Sequence, residues 1–281
     1  MTTGDALMGT ETSVRGDTPG TVQRVLHVIQ YFARHRESSL KEMSDALELP
    51  PSTCHRLLEI MRREGFIDTV PGQRKYRLGI ELLRVCAEIQ SNHDLTDIAM
   101  PFLEKIADES GETAVFSLYL PSAKKICYAL KVDSRAALRY DIRLNVPISL
   151  LWGASGLSIA AFLPRQDIDL AYADEGPSPV NGVSLPSRDE LELRLDQIRQ
   201  AGYAITFGEK MAGAIGIAAP VFGRSDMVFG SLLVVYPSLR VSDEEREPLA
   251  RLVREAAAGM SNVVGAQAVG TASRTELPRV F

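Results

Sequence analysis

The sequence predicts an α+β chain in two parts: a small three-helix module closed by a β-hairpin, then, after a connecting helix, a larger domain of interleaved strands and helices. Three observations carry this. Apolar residues recur every three or four positions from Val22 to Met61. Two β-prone runs then flank Pro71-Gly72. Beyond Glu112, strand-like runs alternate with helical stretches. The chain has 281 residues, roughly two ordinary domains at about 150 residues each. The boundaries fall at 1–19 for a polar, disordered tail, 20–80 for the first module, 81–97 for a linker helix, 98–265 for the larger domain and 266–281 for a second tail.

The first helix shows Val22, Val25, Leu26, Ile29 and Phe32 on one face. Ser39 is placed to cap the next, Leu40 to Leu47, which turns Leu40, Met43, Ala46 and Leu47 inward. Pro50 and Pro51 open a third helix, where proline loses nothing because a first-turn amide is unpaired anyway. It runs to about Glu64 and buries Cys54, Leu57, Leu58 and Met61. Its other face carries Ser52, Thr53, His55, Arg56, Glu59, Arg62 and Arg63, and Gly65 supplies a left-handed stop. The hairpin Phe66–Val70 and Arg74–Leu78 completes a winged helix-turn-helix.

A hydroxyl-rich, basic helix face suits the major groove. Its first amides and hydroxyls bond phosphate, while Arg and His reach base edges. The candidate DNA contacts are Lys41, Ser52, Thr53, His55, Arg56 and Arg62, with Arg74 and Lys75 on the wing. Residues 20–80 hold ten basic against seven acidic side chains, on a chain of net charge −5; that asymmetry fits a nucleic-acid module on an acidic body. Spacing alone suits a dimerisation unit equally well.

The blocks Leu40-Lys41-Glu42-Met43-Ser44, Leu49-Pro50-Pro51-Ser52-Thr53-Cys54-His55-Arg56-Leu57-Leu58, Gly65-Phe66 and Tyr76-Arg77-Leu78-Gly79 resemble, in order and spacing, the winged helix of the IclR family of bacterial regulators. The later blocks Gly202-Tyr203-Ala204, Gly208-Glu209-Lys210, Gly213 and Gly216-Ile217-Ala218-Ala219-Pro220-Val221 are similar to that family's second half. The resemblance spans about Thr21 to Gly265. It implies a GAF-like effector-binding domain and a homo-oligomer, a dimer or a tetramer, that binds double-stranded operator DNA. Many members carry Pro-Leu-His-Ala-Thr-Ala-Ser-Gly-Lys before the central helix. Here Pro147 to Leu157 keeps the small residues and replaces the His and the Lys, so the effector is expected to differ.

In the larger domain the reading places a linker helix over Ile80–Ser91 and a helix starting at Pro101. Strands follow at Ala114–Leu120, Lys125–Lys131, Arg139–Ile142, Tyr203–Phe207, Ile215–Val221 and Val228–Tyr236. Helices fall at Ser155–Phe162, Asp189–Ala201 and Asp243–Met260. A small-molecule effector is expected between the sheet and two glycine-rich segments. One contributes Trp152, Gly153, Ala154, Ser155 and Gly156; the other contributes Glu209, Ala212, Ile215 and Ile217. Free amides at the start of the helix suit a carboxylate, so the ligand is read as an organic acid. Phe116, Tyr128, Leu130, Trp152 and Leu233 are the candidate apolar walls, which admit an aromatic one. The glycines and aromatics serve equally as turn and core residues.

Catalysis is not expected. No histidine follows His93, and Gly153-Ala154-Ser155-Gly156-Leu157 lacks the final glycine of a nucleophile elbow. No cofactor or metal motif is present, and Cys54, Cys86 and Cys127 are too far apart for a metal cluster or a disulfide framework. A reduced cytoplasmic setting is the expectation. Two other readings stay open: a second domain that only oligomerises, and an enzyme with an accessory DNA module.

Overall fold

The computed structural model describes residues 20–92, 95–223 and 226–272. The tail expected over 1–19 lies outside them, as does the end of the one expected from 266. The chain divides between His93 and Asp94 into two compact units.

The first unit packs α1 (Thr21–Arg34), α2 (Leu40–Ala46) and α3 (Pro51–Arg63) around Val28, Phe32, Met43, Cys54, Leu58 and Met61. β2 (Ile67–Thr69) and β3 (Lys75–Leu78) form the hairpin, and β1 (Ser38–Ser39) adds a third strand outside β3 that the sequence reading missed. Ser39 starts α2 with a reciprocal cap. Its Oγ accepts from the Glu42 amide (3.3 Å), and its own amide donates to Glu42 Oε2 (2.8 Å). Those bonds hold the Glu42 carboxyl below its usual range. α3 ends in a Schellman turn: Phe66 N–H reaches the Met61 carbonyl, Gly65 N–H reaches Arg62, and Gly65 takes φ +74°. At the wing tip Gln73 N–H closes on the Val70 carbonyl, with Pro71 and then Gly72 at φ +74° between them. Proline then a positive-φ glycine is the demand of a type II turn. α4 (Ile80–Asn92) follows directly.

The second unit is built on six antiparallel strands in the order β6-β5-β4-β9-β8-β7. These are β4 (Thr113–Leu120), β5 (Lys125–Val132), β6 (Pro147–Ser149), β7 (Ala204–Phe207), β8 (Ala214–Phe222) and β9 (Val228–Pro237). α5 (Leu95–Ser110) and α9 (Asp243–Ala272) cover one face; α6 (Ala154–Ala160), α7 (Arg165–Asp174) and α8 (Arg188–Ala201) cover the other. With a helical layer on each face, the central strands β8 and β9 are apolar on both sides.

Four local expectations are corrected. Arg139–Ile142 is not a strand; the edge strand there is β6, paired to β5 through Ile126 and Ile148. α7 was not anticipated. Pro101 lies inside α5 rather than at its start, on an exposed position. The backbone of α9 stays helical to Ala272, past the point where a tail was expected.

The most consequential irregularity is a bulge in β5. Phe116 opposes Leu130, yet Ser117 opposes Tyr128, so Ala129 is an extra residue. Strict alternation would put Tyr128 and Leu130 on one face. The bulge separates them: Tyr128 joins the core under α6, and Leu130 joins the core under α5 and α9.

Gly156 is a packing requirement. A Cβ there would fall on the Leu150 carbonyl, deep inside contact distance. Gly156→Val is expected to destabilise the second unit by ~3 kcal/mol or more, beyond ordinary overpacking, read as a lowered melting temperature by circular dichroism. Normal melting of that variant would show that the backbones do not approach so closely.

Candidate functional site

Two regions bring the predicted residues together. On α3, Cys54, Leu57, Leu58 and Met61 are buried, and Ser52, His55, Arg56, Arg62 and Arg63 are exposed. Pro50 gives α3 no side-chain cap, so the amides of Ser52 and Thr53 lack intrahelical partners and are free for a phosphate. Lys41 is exposed on α2, and Arg74 is exposed at the wing turn, with Lys75 partly covered on β3. Arg62 differs from its neighbours. Its Nε and Nη2 donate to both oxygens of Glu59, at 3.1 and 2.9 Å, so it meets DNA only by leaving that pair or keeping it. Arg56 makes no such pair among the described residues.

The second region is a small pocket, about 30 Å³, between the start of α6 and the turn joining β7 to β8. Gly153, Ala154 and Ser155 form one wall, and Thr206, Glu209, Lys210 and Met211 form the opposite one. Tyr128, Ala214, Gly216, Leu233 and Val235 rise from the sheet as its floor.

Its polar groups are ordered by Glu209. Oε1 accepts from Arg194 Nη2 on α8 (2.6 Å), and Oε2 accepts from the Gly153 amide (3.3 Å). The Glu209 carbonyl accepts from Ser178 Oγ (2.9 Å). The Ala154 amide is taken by Thr206 Oγ1 (3.1 Å). Two of the amides expected to await an effector carboxylate are therefore already bonded within the chain. Gly153 sits at φ +81° with the Lys210 stem packed against it, so a side chain there would be both strained and crowded.

Lys210 Nζ donates to the Ser149 carbonyl (3.0 Å) and lies 5.9 Å from the Tyr128 ring centroid. Burial pulls its pKa down to about 7, against the attraction of Glu175 and Glu209. Burial pushes the Tyr128 phenol up to about 12, partly offset by the Ser155 hydroxyl. Ser155 Oγ itself is buried and makes no hydrogen bond of good geometry.

A model of the bacterial transcriptional regulator IclR C-terminal domain matches residues 87–262, and one of the IclR helix-turn-helix domain matches residues 21–71. The chain belongs to the IclR family. Its relatives include the HTH-type transcriptional regulator KdgR of Dickeya chrysanthemi, 27% identical over 89% of this chain and 81% of that protein. KdgR of Escherichia coli K12 is 27% identical over 89% of this chain and 94% of its own. Among solved structures, a putative IclR regulator from Silicibacter sp. TM1040 superposes with a TM-score of 0.77 at 23% identity, covering 88% of this chain and 96% of that one. An IclR homolog complexed with 4-hydroxybenzoate, from Microbacterium hydrocarbonoxydans, reaches 0.70 at 22% identity over 87% and 99%. The chain is thus a DNA-binding transcriptional regulator of this family, with relatives that are regulators rather than enzymes. Among the described residues no helix is long and apolar enough to cross a membrane.

Against this IclR frame the predicted effector residues sort by face. Tyr128, Gly153, Ala154, Ser155, Glu209 and Leu233 line the pocket. Phe116, Leu130, Ile215 and Ile217 do not; they lie on the opposite face of the sheet, against α5 and α9. On β8 the alternation gives Ala214 and Gly216 to the pocket and the two isoleucines to the other core. Trp152 is buried beside the pocket, its Nε1 donating to the Gly176 carbonyl (3.0 Å). Gly156 serves packing, and Ala212 is exposed, its carbonyl accepting from the Tyr140 hydroxyl (3.1 Å). Lys210, Thr206, Met211, Ala214, Gly216 and Val235 were missed. Lys210 stood in the Gly208-Glu209-Lys210 block, where a lysine beside turn glycines reads as solvated surface.

Arg56→Ala is expected to weaken operator binding by about 1–3 kcal/mol, as loss of a base-edge contact does, in a gel-shift titration with the fold intact. Unchanged affinity would remove Arg56 from the interface. Neutralising Arg74 and Lys75 together should lower the slope of log affinity against log salt by about two. A wild-type slope would exclude phosphate contact by the wing.

Proposed function

We propose that this IclR-family chain is an effector-responsive regulator that works as a homo-oligomer. In this reading paired winged helices meet half-sites of a roughly palindromic operator, and a small organic acid binds the pocket at the start of α6. The observation that carries the reading is a polar lining set into an apolar core. Lys210, Ser155 and Tyr128 line a cavity together with Leu233 and Val235. A core that served only oligomerisation would gain nothing from setting a lysine and a serine hydroxyl into it, because burying polar groups costs free energy.

Of the aromatic walls expected from the sequence, only Tyr128 reaches the lining. That favours a compact acid over one needing a stacked aromatic cage. The 4-hydroxybenzoate complex of the Microbacterium homolog supports an acid-binding role. Apolar side chains left exposed on the first unit, Val22 and Leu26 on α1 with Ile80 and Leu83 on α4, support self-association. Effector binding changes operator affinity only through different affinity for the two arrangements of the oligomer. Regulation of a catabolic operon fits this design.

A panel of carboxylic acids of two to eight carbons, screened by thermal shift and then by operator gel shift, tests the reading. At a hundred times its Kd a true effector should stabilise the fold by about 2.7 kcal/mol and alter operator occupancy. If no acid moves the melting temperature, the pocket is not an acid site and the oligomerisation reading takes its place. Turnover of any shifting ligand would instead favour an enzyme.

A further inference from the structure

Among the described residues Lys210 is the one cationic side chain that lines the pocket, and it makes no ion pair with any of them. The two carboxylates whose charge reaches it are Glu209 and Glu175. Glu209 is spent on Arg194 and the Gly153 amide. Glu175 accepts from Ser149 Oγ (2.6 Å). Neither makes an ion pair with Lys210 among the described residues. From β5 the Tyr128 ring faces the ammonium, and from β6 only the Ser149 carbonyl bonds it. A lysine ammonium has three donors, and one is used here. The Lys210 stem meanwhile packs against Gly153, and the side chain is partly buried.

We infer that Lys210 is the charge-selecting residue of the pocket: it admits a small monocarboxylate as the anion, pairs with it as the ammonium, and makes binding consume a proton. The inference rests on the acid-binding reading above and adds the group responsible and its linkage to pH. The sign follows from the chemistry. An anion beside Lys210 favours the charged form and raises its pKa. The empty pocket holds that pKa at about 7. Below that pH the ammonium is already present and affinity is greatest. Above it, each complex must take up a proton, and affinity falls by up to about tenfold per pH unit until the pKa of the complex is reached. A dicarboxylate brings a second charge towards Glu209 and Glu175 and is disfavoured.

The test is isothermal titration of the full-length protein with propanoate, and with whichever acid of the panel gives the largest thermal shift, from pH 6 to 9. Each acid is paired with its amide as the neutral control. Titration at pH 8 in two buffers of different ionisation enthalpy should show about one proton taken up per site. Lys210→Met should weaken acid binding about ten- to a hundredfold at pH 6.5, as loss of a charged hydrogen bond does. Lys210→Arg, whose guanidinium does not titrate in this range, should restore binding with a flat pH profile. Should either variant melt early, proton uptake by the wild-type protein decides alone. An acid that binds equally well at pH 6 and 8.5 without proton uptake, or that binds Lys210→Met as it binds wild type, overturns the role of Lys210 while the pocket stands. An absence of any acid binding to the wild type overturns the pocket reading and this one together.

Discussion

Glu209 joins separate parts of the second unit around the turn between β7 and β8. One oxygen holds Arg194 of α8, the other holds the amide of Gly153 where α6 begins, and the backbone carbonyl holds Ser178 in the loop after α7. Three segments distant in sequence are thereby fixed against the turn between β7 and β8. The tie is charge-assisted on the arginine side, the stronger kind of hydrogen bond.

That arrangement has an electrostatic consequence. Glu209 uses Arg194, and Thr206 uses the Ala154 amide, so the obvious anion-binding groups around the start of α6 are internally satisfied. The other polar residues of the pocket lining are Lys210, Ser155 and Tyr128. The protein thus presents a partly buried cation that makes no ion pair among the described residues. Burial of an unpaired charge is unfavourable, and the depressed pKa of Lys210 is the equilibrium expression of that cost.

The first unit depends on backbone geometry more than on charge. Gly65 closes α3 at positive φ, and Gly79 lies so near the Gly65 carbonyl that no side chain fits between them. The wing therefore leaves α3 at a fixed angle. The capping box of Ser39 and Glu42 does the same for α2. With both ends rigid, the exposed face of α3 and the wing are presented as one surface, which recognition of a groove requires.

The winged helix was legible in the sequence nearly residue by residue. Its signals are local: a 3.6-residue apolar period, serine and proline at helix starts, glycine at a helix end, Pro-Gly in a turn. Each acts within a few residues and survives without knowledge of the rest of the chain. The family resemblance was legible for the same reason, since its blocks are short and ordered. In the second unit the sequence placed β4, β5, β7, β8 and β9 and four helices, but not β6 or α7, whose apolar stripes are short. It also located both walls of the pocket, through Gly153 to Ser155 and Glu209. The lining was decided only by tertiary structure. One extra residue at Ala129 moves Leu130 to the far face of the sheet and leaves Tyr128 in the pocket. Which face of β4 and β8 looks toward α6 is set by pairing with distant strands, so Phe116, Ile215 and Ile217 went to the other core. The state of Lys210 is likewise set by groups from five separate segments, because burial and charge act through space while periodicity and capping act along the chain.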